Sequence, residues 1–160
     1  KWMAMAKIEK IPAREIISFY NWDFGSSYAC QQLGLILGKD WFLSGKYLYT
    51  NSVRCRTPNN VTPSQEMIRN CIFWTRGLLM RKTLLVPVGR VALNQLEQLS
   101  IRMTRGWGKP EIIEQGKFSG VCLFPIMHYS AWRGYGGPAA YKDGWAEAKI
   151  MAEIVEPENA

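Results

Sequence analysis

The sequence has few of the residues that build common metal and disulfide sites. Among its 160 residues there are four cysteines and one histidine, and no two cysteines form a Cys-x-x-Cys pair. This spacing indicates no disulfide framework, and buried free thiols are the default expectation. No apolar run approaches the roughly 18 residues that a membrane-spanning helix requires, and no signal peptide is recognisable. We therefore expect an intracellular protein without a membrane partner.

Acidic residues are also scarce relative to basic ones. The chain has 13 Asp and Glu against 20 Lys and Arg, which gives a formal net charge of +7. This excess favours a polyanionic partner such as nucleic acid, although excess charge also serves solubility. With 48% hydrophobic and 21% charged residues, the composition is that of a globular protein. The length predicts a single domain over residues 1–160, and we expect a monomer.

Strand patterns alternate with helical patterns along the chain. Apolar, aromatic and β-branched runs predict strands at residues 16–20, 47–53, 83–89 and 121–127. Apolar residues at helical spacing predict helices at residues 26–38, 62–79 and 90–99, and a last helix from residue 138. The stretch between residues 103 and 119 is predicted to be irregular. The alternation predicts a three-layer α/β/α domain with a mainly parallel four-stranded sheet.

Two prolines refine this prediction. Pro63 suits the first position of a helix, with Thr62 before it as N-cap and Gln65 completing a capping box. Pro87 has no N–H and costs the third strand one ladder hydrogen bond, so we expect it near the end of that strand.

The segment from residue 50 to residue 60 carries the most specific motif of the chain. It reads Thr-Asn-Ser-Val-Arg-Cys-Arg-Thr-Pro-Asn-Asn, and fifteen residues separate Cys55 from Cys71. This segment resembles the iron–sulfur-type (family 4) uracil-DNA glycosylases. Their corresponding run is roughly Thr-Asn-x-Val-Lys-Cys-Arg-Pro-Pro-x-Asn, followed by a proline, an acidic helix start and a second cysteine.

Three further segments resemble the same family, in the same order. Residues 85–92 are similar to its third strand and to the glycine that turns into the next helix. Residues 105–108 are similar to its Arg-Gly-Lys-Trp segment. Residues 124–130, Phe-Pro-Ile-Met-His-Tyr-Ser, resemble its Phe-Pro-x-Phe-His-Pro-Ser motif. The resemblance thus covers more than half of the chain, from residue 47 to residue 133.

Other positions depart from the family pattern. Residues 21–25, Asn-Trp-Asp-Phe-Gly, stand where the family has Gly-Glu-x-Pro-Gly, and Tyr129 stands where it has proline. Residues 21–25 look somewhat more like the Gly-Gln-Asp-Pro-Tyr of conventional uracil-DNA glycosylases. Of the family's cluster ligands only Cys55 and Cys71 match, because the family takes two more from an upstream Cys-x-x-Cys. The resemblance therefore implies a 4Fe-4S cluster only if residues upstream of Lys1 supply that pair.

The resemblance implies a DNA glycosylase of the base excision repair type. Such an enzyme hydrolyses the N-glycosidic bond of uracil, or of a related base, after that base is flipped out of single- or double-stranded DNA. His128 would stabilise the charge on the leaving base, and Asp23 would orient or activate water. Asn51 would hydrogen-bond the uracil edge, and Phe24 would stack on the base.

Polar and basic residues beside these positions are candidate contacts to DNA phosphates. They are Ser130, Arg54 and Arg56, with Arg105 and Arg133 behind them. The individual residues also have ordinary structural explanations, since a loop Asp often forms an Asx turn and a lone His is usually structural. Two alternatives therefore stand beside the uracil glycosylase: a catalytically inactive relative that serves as a DNA-binding or assembly module, and a glycosylase for a different base.

Overall fold

The computed structural model describes residues 28–38, 61–80, 82–134 and 136–154. The chain divides into two compact units, Lys1–Leu48 and Tyr49–Ala160. The prediction of a single domain over residues 1–160 stays a prediction. None of the helices in these ranges has the length and the apolarity that crossing a bilayer demands.

The described part of the first unit contains one helix, α1 (Tyr28–Leu37). Its side chains at positions 33, 36 and 37 are buried, as the predicted apolar face requires. In the second unit the elements follow in the order α2 (Gln65–Leu79), β1 (Leu84–Leu85), α3 (Gly89–Glu97), β2 (Glu111–Ile112), β3 (Cys122–Leu123) and α4 (Lys142–Met151). Short 3₁₀ helices lie at Gly116–Phe118, Tyr129–Gly134 and Gly137–Tyr141.

The sheet is small and mixed. Within the described ranges it has three strands in the order β1-β3-β2, with β1 parallel and β2 antiparallel to β3. The prediction of a three-layer α/β/α domain with a mainly parallel four-stranded sheet is therefore wrong, because the architecture is mainly helical around this small sheet. The predicted strands at residues 16–20 and 47–53 lie outside the described residues. Strand β2 was missed because two residues are too few for a period-two pattern to appear.

Pro87 explains why the parallel pair is short. The N–H of Phe124 donates to the carbonyl of Leu85 at 2.8 Å, as a parallel ladder requires. By the repeat of that ladder, residue 87 would donate to the carbonyl of Phe124, but proline has no N–H. The ladder continues directly after this gap, since the carbonyl of Pro87 accepts from the N–H of Ile126 at 3.0 Å and the N–H of Gly89 donates to the carbonyl of Ile126 at 2.8 Å. The prediction that Pro87 costs one ladder bond agrees with this gap.

Helix α2 begins later than predicted. Its N-cap is Ser64, whose Oγ accepts a hydrogen bond from the N–H of Met67 at 3.2 Å. The prediction of Thr62 as N-cap is wrong, and so is the capping box, since Gln65 is itself the first helical residue. Because the hydroxyl of Ser64 accepts from the N–H of Met67, Ser64 is the residue that caps the helix. Pro63 therefore lies one residue before the cap and outside the first turn.

Strand β3 is buried on both faces, by α3 and its surroundings on one side and by α4 on the other. On one side Leu123 packs in a cluster that also contains Leu85, Leu96, Ile101 and Phe118. Phe124 follows Leu123 and faces the other way, with its ring centroid 6.1 Å from that of Trp145 in α4. Burial on both faces is typical of a strand with an unbroken apolar run, such as residues 121–127.

Gly144 allows α4 to approach the loop at Gly108. A Cβ at residue 144 would lie 2.0 Å from the carbonyl oxygen of Gly108 and 2.8 Å from the ring of Phe124. Since neither the backbone nor the buried ring can yield easily, we expect Gly144→Ala to lower the free energy of unfolding by about 3 kcal/mol. Urea denaturation followed by circular dichroism measures this loss.

Gly77 provides the matched control for that substitution, because it is also helical and nothing lies within 4 Å of its added Cβ. Gly77→Ala should raise the free energy of unfolding by roughly 0.5–1 kcal/mol, the usual gain of alanine over glycine inside a helix. If Gly144→Ala and Gly77→Ala changed the free energy of unfolding by similar amounts, the close approach of α4 to the loop at Gly108 would be contradicted.

Candidate functional site

The candidate site lies beyond the carboxyl ends of the two parallel strands. Strand β3 continues through the buried residues Phe124 and Ile126 to His128, and β1 continues to Gly89. A Cβ at residue 89 would lie only 2.9 Å from the Cβ of His128. The segments that leave β1 and β3 therefore meet at His128, at the edge where parallel strands usually place ligands.

Ser130 determines which nitrogen of His128 carries the proton. Nδ1 of His128 lies 2.8 Å from Oγ of Ser130, and the backbone N–H of Ser130 donates to the same nitrogen at 3.4 Å. Because a backbone N–H can only donate, this second contact favours Nδ1 as an acceptor. It thereby favours the tautomer of the neutral imidazole that has its proton on Nε2, which is left as a hydrogen-bond donor.

The surroundings of His128 also keep the imidazole neutral. Partial burial lowers the pKa of His128 below its ordinary value of 6.5, because removal of water disfavours the charged form. The side chain nevertheless keeps an exposed surface. At neutral pH the site thus presents an uncharged N–H donor that a ligand can reach.

Tyr129 packs against the imidazole. The two ring centroids are 3.9 Å apart, and the ring planes are inclined by 36°. Tyr129 stands where the resemblance has proline, so an aromatic contact holds this side of the imidazole in place of a rigid pyrrolidine ring.

The turn that follows His128 is anchored to the core by Trp132. Its indole N–H donates to the carbonyl of Met127 at 2.8 Å, and only 4% of the residue is exposed. The N–H of Ala131 donates to the carbonyl of His128 at 2.8 Å. These contacts give His128 a rigid support.

Two further residues lie beside the site, and the sequence had indicated neither as functional. They are Arg90, the residue after Gly89, and Trp107. The guanidinium of Arg90 lies 5.6 Å from the centroid of the Trp107 ring, within cation–π range. Arg90 also pairs with Glu97 at 3.6 Å at an exposed position. An arginine directly after the glycine that ends a buried strand was the one available signal in the sequence.

The loop that carries Trp107 is attached to the strand that delivers His128. The N–H of Gly108 donates to the carbonyl of Pro125 at 2.7 Å. Trp107 is therefore held near the carboxyl end of β3.

Arg105 and Glu111 brace the two ends of this loop. The buried carboxylate of Glu111 accepts from the N–H of Thr104 at 2.8 Å and also contacts the Thr104 hydroxyl. Arg105 donates to the carbonyl of Pro110 at 2.6 Å and pairs with Glu147 of α4 at 3.3 Å. These contacts give Arg105 a structural role in the loop.

The structure brings together only part of the predicted site. His128 and Ser130 are in contact, and the Ser130 hydroxyl, predicted as a phosphate contact, faces Nδ1 of His128. The remaining predicted site residues lie outside the described residues: Asp23, Phe24, Asn51, Arg54, Cys55 and Arg56. The side chain of Arg133 is likewise not among those described. Their roles stay predictions.

The described cysteines do not by themselves fit an iron–sulfur cluster. Cys71 is half-buried in α2 and Cys122 is buried in β3. Burial, together with the nearby carboxylate of Glu147, raises the pKa of Cys122 to about 11. Cys122 is therefore a protonated thiol in the core, and the resemblance assigns it no ligand role. Across residues 28–38, 61–80, 82–134 and 136–154, no three His, Cys, Asp or Glu side chains are grouped to hold a metal ion.

The protonation of His128 can be measured without signal assignment, because it is the only histidine. We expect an NMR titration of the imidazole to have its midpoint below 6.5, and its ¹⁵N shifts to show a protonated Nε2. In urea-unfolded protein the midpoint should return to about 6.5. Since the unfolded chain binds the proton more readily, the free energy of unfolding should fall as the pH is lowered from about 6.5 through the folded pKa. A folded midpoint above the unfolded one would contradict the desolvated site.

Gly89 should be needed to keep His128 in place. It has a φ of +82°, and its added Cβ would lie 2.9 Å from that of His128. We expect Gly89→Ala to displace His128 outward, to change its imidazole shifts and to raise its pKa toward 6.5. Gly116→Ala is the matched control, because Gly116 has a φ of +80° and nothing lies within 4 Å of its Cβ. Imidazole spectra that stay unchanged in Gly89→Ala would disprove the contact.

Comparison of the chain with protein-family models and with curated proteins finds no match in either. The resemblance to the uracil-DNA glycosylases therefore rests on the motifs of the sequence alone.

Proposed function

We propose that the protein is a DNA glycosylase that hydrolyses the N-glycosidic bond of uracil or a related base. The observation that carries this proposal is His128, a neutral imidazole with its proton on Nε2 at the carboxyl end of β3. A positioned, uncharged N–H donor suits an oxygen on which negative charge develops during a reaction. The motifs at residues 50–60 and 124–130 support the same function.

The proposed reaction uses one water molecule. The bond between C1′ of the deoxyribose and N1 of the base breaks, and its electron pair stays on the base. The negative charge spreads onto O2 of the base, to which Nε2–H of His128 donates a hydrogen bond. The water oxygen forms the new bond to C1′, Asp23 orients the water or takes up its proton, and the base finally acquires a proton. Because His128 keeps its own proton, a low pKa of His128 does not hinder the reaction.

Ser130 is a positioning residue in this proposal. Its N–H and hydroxyl lie against Nδ1 of His128, so they hold the proton on Nε2, where the base oxygen needs it.

The neighbouring pair of Arg90 and Trp107 places a cation and an aromatic ring beside the site. Arg90 is thereby a candidate for contact with a DNA phosphate, a role that the sequence had suggested for Arg54, Arg56 and Arg133.

In this proposal, the residues that recognise the base are those that the resemblance implies. Asn51 would pair with the edge of uracil, and Phe24 would stack on its face. Extruding a base from a duplex costs a few kcal/mol, so a single strand is the less demanding substrate. A single-stranded oligonucleotide with one deoxyuridine is therefore the substrate for the test.

The second candidate function is that of a catalytically inactive DNA-binding or assembly module. Two observations favour it: Tyr129 covers one side of the imidazole, and residues 21–25 depart from the family's first motif. Both positions border the pocket that a flipped base would enter in the family.

We expect the protein to release free uracil from that oligonucleotide in single-turnover reactions. His128→Ala should reduce the rate by about 100-fold, the usual effect of removing a donor to a developing oxyanion. Asn51→Ala should reduce it by about tenfold or more. Lys117→Ala is the control, because Lys117 is exposed near the opposite end of β3, and its rate should equal that of the unaltered protein.

Two results would count against this function. If the unaltered protein releases no uracil but binds the strand in a salt-dependent way, the inactive module is the better description. If uracil is released equally fast by His128→Ala, the proposed role of the imidazole is wrong.

A further inference from the structure

Helix α2 exposes two large aromatic side chains. Phe73 is 74% and Trp74 61% exposed. Their ring centroids are 5.8 Å apart and their planes nearly perpendicular, at 82°. The buried residues of this helix, Ile68 and Thr75, lie on its other side. Contiguous exposed aromatic rings on a helix often mark an interaction surface.

Arginines flank the aromatic pair along the helix. Arg69 lies four residues before Phe73 and Arg76 three residues after it, so the three side chains form one stripe. The two arginines lie about 10 Å apart along the helix axis. Both are exposed, and in the described ranges neither forms an ion pair with a carboxylate. Phe73 is therefore bordered on both sides by positive charge.

We infer that this surface, the aromatic–arginine face of α2 (Arg69, Phe73, Trp74 and Arg76), binds single-stranded DNA. Single strands are bound by aromatic rings on which bases stack, combined with cations that contact phosphates. The face provides both groups, and the net charge of +7 favours a polyanion. An apolar peptide would cover the rings but leave both guanidinium groups without a counter-charge.

The structural roles of these residues do not account for the whole face. Arg76 in the last turn stabilises the helix through its dipole, and Arg69 donates to the carbonyl of Gln65 at 3.5 Å. Neither contact explains why Phe73 and Trp74 are exposed together. The choice of DNA over RNA rests on the function proposed above, whereas the stacking and charge argument stands without it.

The test measures fluorescence anisotropy of a labelled oligothymidine of about 16 nucleotides, which contains no uracil. Phe73→Ala/Trp74→Ala should weaken binding by about tenfold or more, because the bases lose both rings on which they stack. Arg69→Gln/Arg76→Gln should reduce the slope of log affinity against log salt by about 1.4, or roughly 0.7 for each lost cation. Thermal melting should be nearly unchanged in Phe73→Ala/Trp74→Ala, because the altered side chains are exposed. It should fall slightly in Arg69→Gln/Arg76→Gln, which loses the helix-dipole and backbone contacts of the two arginines.

Matched controls come from other exposed positions. Ile150→Ala removes a side chain that is 79% exposed on α4. Arg102→Gln/Lys117→Gln removes two exposed charges outside α2. Ile150→Ala should leave affinity unchanged, and the charge control should leave the salt slope closer to that of the unaltered protein than Arg69→Gln/Arg76→Gln does.

Three outcomes would overturn the inference. The first is unchanged oligothymidine binding by Phe73→Ala/Trp74→Ala. The second is tighter binding of an RNA of the same length. The third is a protein that sediments as a dimer and becomes monomeric in Phe73→Ala/Trp74→Ala, which would make the face a contact between two copies of the chain.

His128→Ala separates this inference from the proposed catalysis. It should reduce uracil release by about 100-fold and leave oligothymidine binding intact. If the unaltered protein releases no uracil but Phe73→Ala/Trp74→Ala still weakens oligothymidine binding, the glycosylase proposal fails. The inference about the aromatic–arginine face then stands. If uracil is released and oligothymidine binding does not depend on Phe73 and Trp74, the glycosylase proposal stands and the inference about the aromatic–arginine face fails.

Discussion

The parallel pairing of β1 with β3 is the constraint on which the described part of the second unit depends. The ladder is interrupted at Pro87, and the bond from Gly89 to the carbonyl of Ile126 restores it one step further on. This bond, together with the one from the N–H of Ile126 to the carbonyl of Pro87, brings the start of α3 against the segment that follows β3. It also leaves Gly89 so close to His128 that a methyl group has no room. The position of the candidate site thus follows from the sheet, with its loops secured to the strands by hydrogen bonds.

The chemistry of the site follows from how its polar groups are paired. Nδ1 of His128 faces a backbone N–H, so the imidazole keeps its proton on Nε2, and partial burial keeps it uncharged. Arg105 and Glu111 resemble functional residues in type, yet their hydrogen bonds brace the loop at residues 104–110. Cys122 is likewise inert, because burial raises its pKa. Pairing and burial, more than residue type, distinguish reactive groups from structural ones here.

Helix α2 differs from the other described helices in how its two sides are used. Ile68 and Thr75 are buried, while Phe73 and Trp74 are exposed between two arginines. Exposing two large rings forgoes the free energy that their burial would contribute, about 1.5–3 kcal/mol for a side chain such as Phe. A strand of DNA whose bases stack on these rings would recover part of that free energy on binding.

The sequence by itself determined those elements whose signals are local. The apolar runs at residues 83–89 and 121–127, the helices at residues 26–38 and 90–99, and His128 at a strand end could all be read from neighbouring residues, because strand and helix periods extend over only a few positions. The tertiary structure decided the rest. The antiparallel addition of Glu111–Ile112 to β3, which makes the sheet mixed, depends on residues about ten positions apart. The contact of Arg90 with Trp107 and the packing of Gly89 on His128 likewise join segments that are distant in the chain, and no local pattern encodes such distances.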